Sequence, residues 1–444
     1  MATTAPPETA RVRHPKGLPT LFFTEMWERF SYYGMRAFLI LYMTAPVAAG
    51  GLGFTDQHAG SLYGTYTGSA WLAAIFGGLL ADRLLGQYRS VLLGGIIIAM
   101  GHFTLAFKSM PAFYSGLALI VIGTGLLKPN VSILVGSLYE PGDRRRDAGF
   151  SIFYMGINLG AFLGPIIAGY LAQKVNWHAG FACAGVGMML GLVQYVLGKK
   201  RLEPAMERLS ARRQTTPGKA TATASSSFTA TEWKRIAAVF VFFVFASLFW
   251  GAYEQAGSTL NLFGDRYTTT TILGFSFPSS WYVSVQAFFV ILLAPILGWL
   301  WVKLGSKEPS SPTKFAMGLL FAGLAFLFLV PAARFAQAAG GHFRVSPMWL
   351  VGAYFIEEIG ELCISPVGLS VVTKLAPTRI VGLMMGVWFL SNAAGNKIAG
   401  FTAGFFSSMP LARLFGIVAI VCLAASVLLF TLIRPIKKLM GGVQ

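Results

Sequence analysis

Twelve apolar runs, each long enough to cross a bilayer, constrain this chain more than any other feature. They lie near residues 20–43, 58–81, 90–107, 112–136, 149–171, 179–198, 234–257, 279–302, 314–333, 347–373, 380–404 and 411–433. A bilayer core takes about 20 apolar residues per helix. Lipid offers no partner to an unpaired backbone N–H or C=O, so each run is expected to be helical. Composition agrees: of 444 residues, 55% are hydrophobic and 12% charged, against roughly 25% charged in a soluble domain. The expectation is an all-α integral membrane protein with twelve transmembrane helices in two six-helix bundles.

The net charge of +18 does not point to nucleic acid, because no basic face carries interleaved aromatics. Lys and Arg fall instead in short loops between the runs. About 25 lie on the side that holds both termini and about 6 on the other, which places both termini in the cytoplasm and the chain in the inner (cytoplasmic) membrane. Residues 200–232, rich in Lys, Arg, Ser, Thr and Ala, separate six runs from six. The expected organisation is a bundle at 1–199, a cytoplasmic linker at 200–232 with a short surface helix around LEPAMERLSARR, and a bundle at 233–444. Cys183, Cys363 and Cys422 lie inside apolar runs and read as small buried side chains, not a disulfide framework. No removable signal peptide is expected.

Ten ionisable residues interrupt the runs: Glu25, Glu28, Arg29, Arg36, Lys128, Glu254, Glu357, Glu358, Glu361 and Lys397. Each costs about 2.5–3.5 kcal/mol on insertion scales, so a functional site is the default explanation. At 3.6 residues per turn, Glu25, Glu28, Arg29, Tyr32 and Arg36 form one stripe, with Tyr33 beside it. At about 1.5 Å per residue, Lys128 reaches the level of Glu25 and Glu28, while Arg36, Glu254 and Glu361 lie deeper. A Glu25/Glu28/Lys128 cluster and an Arg36/Glu254 contact are both possible. A carboxyl in low dielectric is easily neutralised, and a nearby cation holds it ionised. A substrate that engages the cation can therefore release the acid to take a proton. The competing explanation is a purely structural ion-pair network. Lys397 reads as a snorkelling end residue, and His58 as an exposed one. Glu357 and Glu358, one turn outward from Glu361, carry less weight.

The two halves echo each other. GTGLLKPNVS from Gly123 and GELCISPVGLS from Gly360 each place a Gly the same interval before a polar-Pro pair, Lys128-Pro129 and Ser365-Pro366. Such repeats mark secondary transporters, whose substrate sites lie near the midplane between repeats. Proline also has a plainer role as a kink. Between the second and third runs, GGLLADRLLGQYRS, with Asp82, Arg83, Gly86 and Arg89, resembles the signature loop of the major facilitator superfamily, whose charges lock neighbouring helix ends.

Several longer motifs, in order, resemble the proton-dependent oligopeptide transporter (POT, or PTR2) family over nearly the whole chain. They are E-x-x-E-R-F-x-Y-Y-G at Glu25–Gly34, LKPN at Leu127–Asn130, RRRDAGFSIFYMGINLGAF from Arg144, FWGAYEQAGS with Trp250 and Glu254, GELCISPVGLS, and MGVWFL with Trp388. The resemblance implies the major facilitator fold. It also implies that Glu25, Glu28, Arg29 and Lys128 form a proton-coupling network, with Glu254 the acid that pairs with Arg36. By the same resemblance Arg36 and Lys128 bind a peptide carboxylate and Glu361 its amino group, while Tyr32, Tyr33, Asn158, Trp250, Ser365 and Trp388 line the pocket. Three departures stand out. The linker is too short for the two extra helices of many bacterial members. Gln286 and Ala287 stand where an Asn-Pro is common, and Trp71 where a pocket Tyr is common.

The resulting expectation is a monomeric symporter that imports di- and tripeptides by alternating access, with protons as coupling ions and no cofactor. Another substrate of the same family, nitrate or an amino acid, is the alternative. A membrane-embedded enzyme lacks a metal cluster, a Ser-His-Asp set or a phosphate loop. A channel fits two repeats around a charged centre less well.

Overall fold

A computed structural model of the chain describes residues 13–140, 142–215, 228–338, 343–377 and 380–441. In chain order the helices are α1 (Leu18–Thr44), α2 (Asp56–Leu80), α3 (Gln87–Leu105), α4 (Met110–Ser137), α5 (Arg145–Lys174), α6 (Trp177–Leu197) and α7 (Lys199–Thr215). They continue with α8 (Ala230–Tyr253), α9 (Thr259–Tyr267), α10 (Tyr282–Leu304), α11 (Ser311–Ala338), α12 (Met348–Leu375), α13 (Val381–Ala403) and α14 (Leu411–Met440). A small antiparallel hairpin, β1 (Thr271–Ile272) and β2 (Phe275–Ser276), joins α9 to α10.

A helix coincides with each of the twelve apolar runs. Nine helical stretches among the described residues are long and apolar enough to cross a membrane by length and composition. The other three runs correspond to α1, α12 and α13. The charges of α1 and α12, and the Asn392, Asn396 and Lys397 of α13, take them out of the purely apolar class.

Side-chain caps set several helix starts. The Thr55, Ser109 and Asn176 side chains accept from the backbone N–H groups of His58, Ala112 and Ala179. Thr229 and Glu232 form a reciprocal capping box at α8. Each satisfies a donor that the first helical turn leaves unpaired.

The linker contributes more structure than a tether. Helix α7 buries Leu202 and Ala205 against Leu18, Leu138 and Tyr139. Its Arg208 donates to the carbonyls of Ser137 and Leu138 at 3.2 and 2.8 Å, capping the end of α4. The rest of the linker, 216–227, lies outside the described residues.

Helices α1–α6 pack with one another, as do α8 and α10–α14, and the two groups meet along two seams, α2 against α13 and α5 against α10. Small residues let the first seam close. A Cβ added at Gly60, Gly64 or Gly68 would lie 2.5, 2.8 or 2.9 Å from a carbonyl oxygen of Gly400, Asn396 or Ala393. Such spacing by four lets helix backbones touch in the membrane.

Polar contacts between the groups collect at the end away from the N-terminus. Arg266 pairs bidentately with Asp56 at 2.7 and 2.8 Å, and Ser407 also donates to Asp56. Gln173 donates to Ser279 at 2.8 Å, and Ser279 to Asp265 at 2.6 Å.

Candidate functional site

The stripe read from the sequence is buried along its whole length, from Glu25 and Glu28 through Arg29 and Tyr32 to Arg36. At its lower end the Arg29 guanidinium bridges two carboxylates, pairing with Glu25 at 3.1 Å and with Glu28. It also lies 5.4 Å from the ring centre of Tyr32 and 6.0 Å from that of Tyr33. One cation between two acids leaves a net negative charge out of water. That arrangement is held only if a further cation or a proton is near.

Lys128, on α4, is that nearby cation, but it does not join the cluster by contact. Its Nζ lies over the indole of Trp71, 2.9 Å from the ring centre, and among the described residues no carboxylate is within ion-pair distance. Glu25 and Glu28 act on it only through space.

At the upper end Arg36 crosses between the helix groups. It pairs with Glu254, donates to the Glu254 backbone carbonyl at 3.4 Å, and donates through Nε to the Tyr63 hydroxyl at 2.5 Å. The seventh apolar run ends at this point, and the helix goes on past it after a break. Helix α8 ends at Tyr253, tightens into a 3₁₀ turn over Glu254–Gly257, and resumes as α9. The break brings backbone polar groups to the charged centre, as broken helices do in transporters. Gly257 is required there, because a Cβ would collide with the Tyr63 hydroxyl.

The facing wall, on α12, is acidic. Glu357, Glu358 and Glu361 are all buried, at 1%, 0% and 6% exposure. Gln286 donates to Glu357 at 3.0 Å, and Ser365 hydrogen-bonds Glu361. No cation among the described residues forms an ion pair with any of the three. Tyr154 and Tyr253 lie within electrostatic range of Glu358 and Glu361, and Tyr33 within range of both arginines.

The other pocket candidates fall on different shells. Asn158 donates to the Tyr154 carbonyl at 3.0 Å. Trp250 stacks edge-on to Tyr253, with centroids 5.4 Å apart. Trp388 is buried against Phe315 and Gly368 inside the second helix group. Lys397 is exposed and donates to Thr65 at 2.6 Å across the α2–α13 seam, which anchors it more firmly than a snorkelling end residue. His58 is exposed. Helix α2 runs on into a π-helical turn over Ala81–Leu85, where Asp82 accepts from Gln87 of α3 at 2.7 Å, while Arg83 and, on α3, Arg89 are exposed.

Sequence reasoning passed over Tyr63, Tyr154, Tyr253 and the weight of Glu357 and Glu358. The available signal for Tyr63 was a pair of phenols, Tyr63 and Tyr66, one turn apart in an otherwise small-residue helix. Chemically, the site offers cations from one helix group and carboxylates from the other, joined by phenols. That complements a small molecule with an anionic and a cationic end.

A family model described as the POT family (PTR2) matches residues 88–208 and 202–420, two segments that meet in the linker. The peptide transporter YePEPT of Yersinia enterocolitica is 38% identical over 492 residues, covering 97% of this chain and 96% of that one. A di-/tripeptide transporter of Lactococcus lactis subsp. cremoris is 35% identical over 486 residues, covering 97% of each. A crystal structure of a mutant of the peptide transporter POT with alafosfalin superposes with a TM-score of 0.87 at 40% identity, over 98% of both chains.

Proposed function

The chain belongs to the POT family, and on that premise we propose that it is a proton-coupled symporter that imports di- and tripeptides. It is a membrane transporter by family. The fold is the major facilitator fold, with twelve spans, bundles at 1–199 and 233–444, and a linker at 200–232. Both termini are cytoplasmic, the membrane is the inner one, the molecule works as a monomer, and protons are the coupling ions.

One observation carries the reading: buried cations on α1 and a half-buried one on α4 stand in one helix group, and buried carboxyl groups on α12 without an ion-pair partner among the described residues stand in the other. A peptide is a zwitterion whose ends are separated by one or more peptide units. Arg36 and Lys128 receive its carboxylate, and Glu361 its amino group. Tyr32, Tyr33, Asn158, Trp250, Ser365 and Trp388 shape the space between.

Coupling follows from shared partners. While Arg36 is paired with Glu254, the two helix groups are tied together at mid-depth. A substrate carboxylate that takes Arg36 leaves Glu254 without its cation, and a buried carboxylate without a cation takes a proton. The same exchange applies lower down, where Glu25 and Glu28 share Arg29 and Lys128 acts on both from a distance. Release of substrate and proton then lets the pairs reform, and the groups rock about the midplane.

The substrate class is tested by counterflow in proteoliposomes loaded with unlabelled dialanine. Labelled dialanine entry should be competed by tripeptides and not by alanine or nitrate. Competition by alanine or nitrate instead would overturn the peptide assignment and leave the coupling scheme standing.

A further inference from the structure

Of the three interior cations on α1 and α4, Arg29 and Arg36 rest on carboxylates. Lys128 rests on a ring. Its Nζ sits on the face of the Trp71 indole, 2.9 Å from the centre. Glu28, Glu25, Arg29 and Glu254 reach it only through space. An indole face attracts an ammonium through its quadrupole, and more strongly where water is scarce.

Trp71 has a second neighbour. Its ring meets Phe389 of α13, with centroids 5.9 Å apart and planes tilted by 30°. The position along the seam matters. At Gly60, Gly64 and Gly68 the backbones of α2 and α13 touch. One turn further along α2, Trp71 and Phe389 fill the seam with side chains. Lys128, Trp71 and Phe389 therefore stand in successive contact, from the cation to the other helix group.

We propose that Trp71 is a positioning residue for Lys128: its indole holds the ammonium while no substrate carboxylate is present, and its contact with Phe389 ties that hold to the α2–α13 seam. The proposal rests on the peptide-symport reading. When a carboxylate draws Lys128 away, the indole loses its cation and repacks on Phe389. Occupancy of the site is thereby relayed to the seam that must rearrange.

The test needs no substrate at first. Purified protein in nanodiscs is treated with a water-soluble amine-acylating reagent, and the labelling rate at Lys128 is followed by mass spectrometry. The ring covers the nitrogen and stabilises its charged, unreactive form, so Trp71→Leu should label roughly tenfold faster than wild type. Trp71→Phe, which keeps an aromatic face, should stay within about threefold. Should Trp71→Leu fail to fold, Trp71→Met supplies bulk without the face. Equal labelling in wild type and both variants would overturn the proposal, as would equal acceleration in Trp71→Leu and Trp71→Phe. In counterflow, Trp71→Leu should lower KM for dialanine, because the ring no longer competes for Lys128, and lower Vmax. Trp71→Phe should restore both, and a change in Vmax alone would overturn the proposal. A wild type that carries no peptide would overturn the substrate reading, and the labelling result would still decide the role of Trp71.

Discussion

Glu28 is fully buried and shares one guanidinium with Glu25. It therefore sits where one cation must choose between two acids. Glu28→Gln removes that choice while keeping the shape. It should abolish proton-driven accumulation and leave counterflow, which needs no net proton movement. Full accumulation by the variant would remove Glu28 from the coupling scheme. The Arg36–Glu254 pair makes a different prediction. Truncating one partner strands a buried charge, a loss of about 3–5 kcal/mol, whereas replacing both with apolar residues of similar volume is often neutral. Glu254→Ala should thus lower the thermal midpoint more than the Arg36→Met/Glu254→Leu double variant, while both abolish transport. At this scale the sequence was informative where spacing along one helix sufficed: positions 25, 28, 29, 32 and 36 had to share a face. The Tyr63–Arg36 bond was not legible, because it joins helices whose rotation about their axes no single run records. Nor was the parking of Lys128 on Trp71, since depth alone put Lys128 level with the acids.

Among the elements, α2 and α13 show how far packing depends on glycine. A side chain at Gly64 has nowhere to go, since a Cβ would already lie 2.8 Å from the Asn396 carbonyl. Gly64→Leu should force the seam apart and abolish transport by protein that still inserts, with Gly64→Ala intermediate. Transport rates in proteoliposomes matched for protein content check the order. The turn before α5 behaves oppositely. Arg145 clamps Asp143 at 2.7 Å, and this holds the Asp143 carboxyl at about 2. A carboxyl depressed in the folded state contributes stability above its unfolded value, and loses it as pH falls from about 3.9 toward the folded value. Asp143→Asn should therefore leave the pH dependence of uptake between about pH 5 and 8 unchanged. Helix existence and approximate bounds were readable from the apolar runs. The break at Glu254 and the short helix beyond it were not, because the contact they make with Arg36 comes from another helix.

Taken as a whole molecule, the chain is tied shut at the end away from its N-terminus by Asp56, Arg266 and Ser407, and by Gln173, Ser279 and Asp265. On the orientation proposed above, with both termini cytoplasmic, this end faces outward and the conformation is the outward-closed one. A disulfide between cysteines placed at Asp56 and Ser407 should stop transport and spare peptide binding, and reductant should restore uptake. The grouping of the helices into two sets was legible from twelve runs divided by a polar stretch. The docking of α7 under α4 was not legible beyond a short surface helix, and the tie at the far end depends on tertiary contacts such as Asp56–Arg266 and Asp56–Ser407, between residues more than two hundred positions apart. The most direct test of the central claim is uptake of labelled dialanine into proteoliposomes with and without an inward proton gradient. Peptide–proton symport predicts accumulation above the external concentration only with the gradient, and its collapse by a protonophore. Equal, merely equilibrating uptake under both conditions would contradict it.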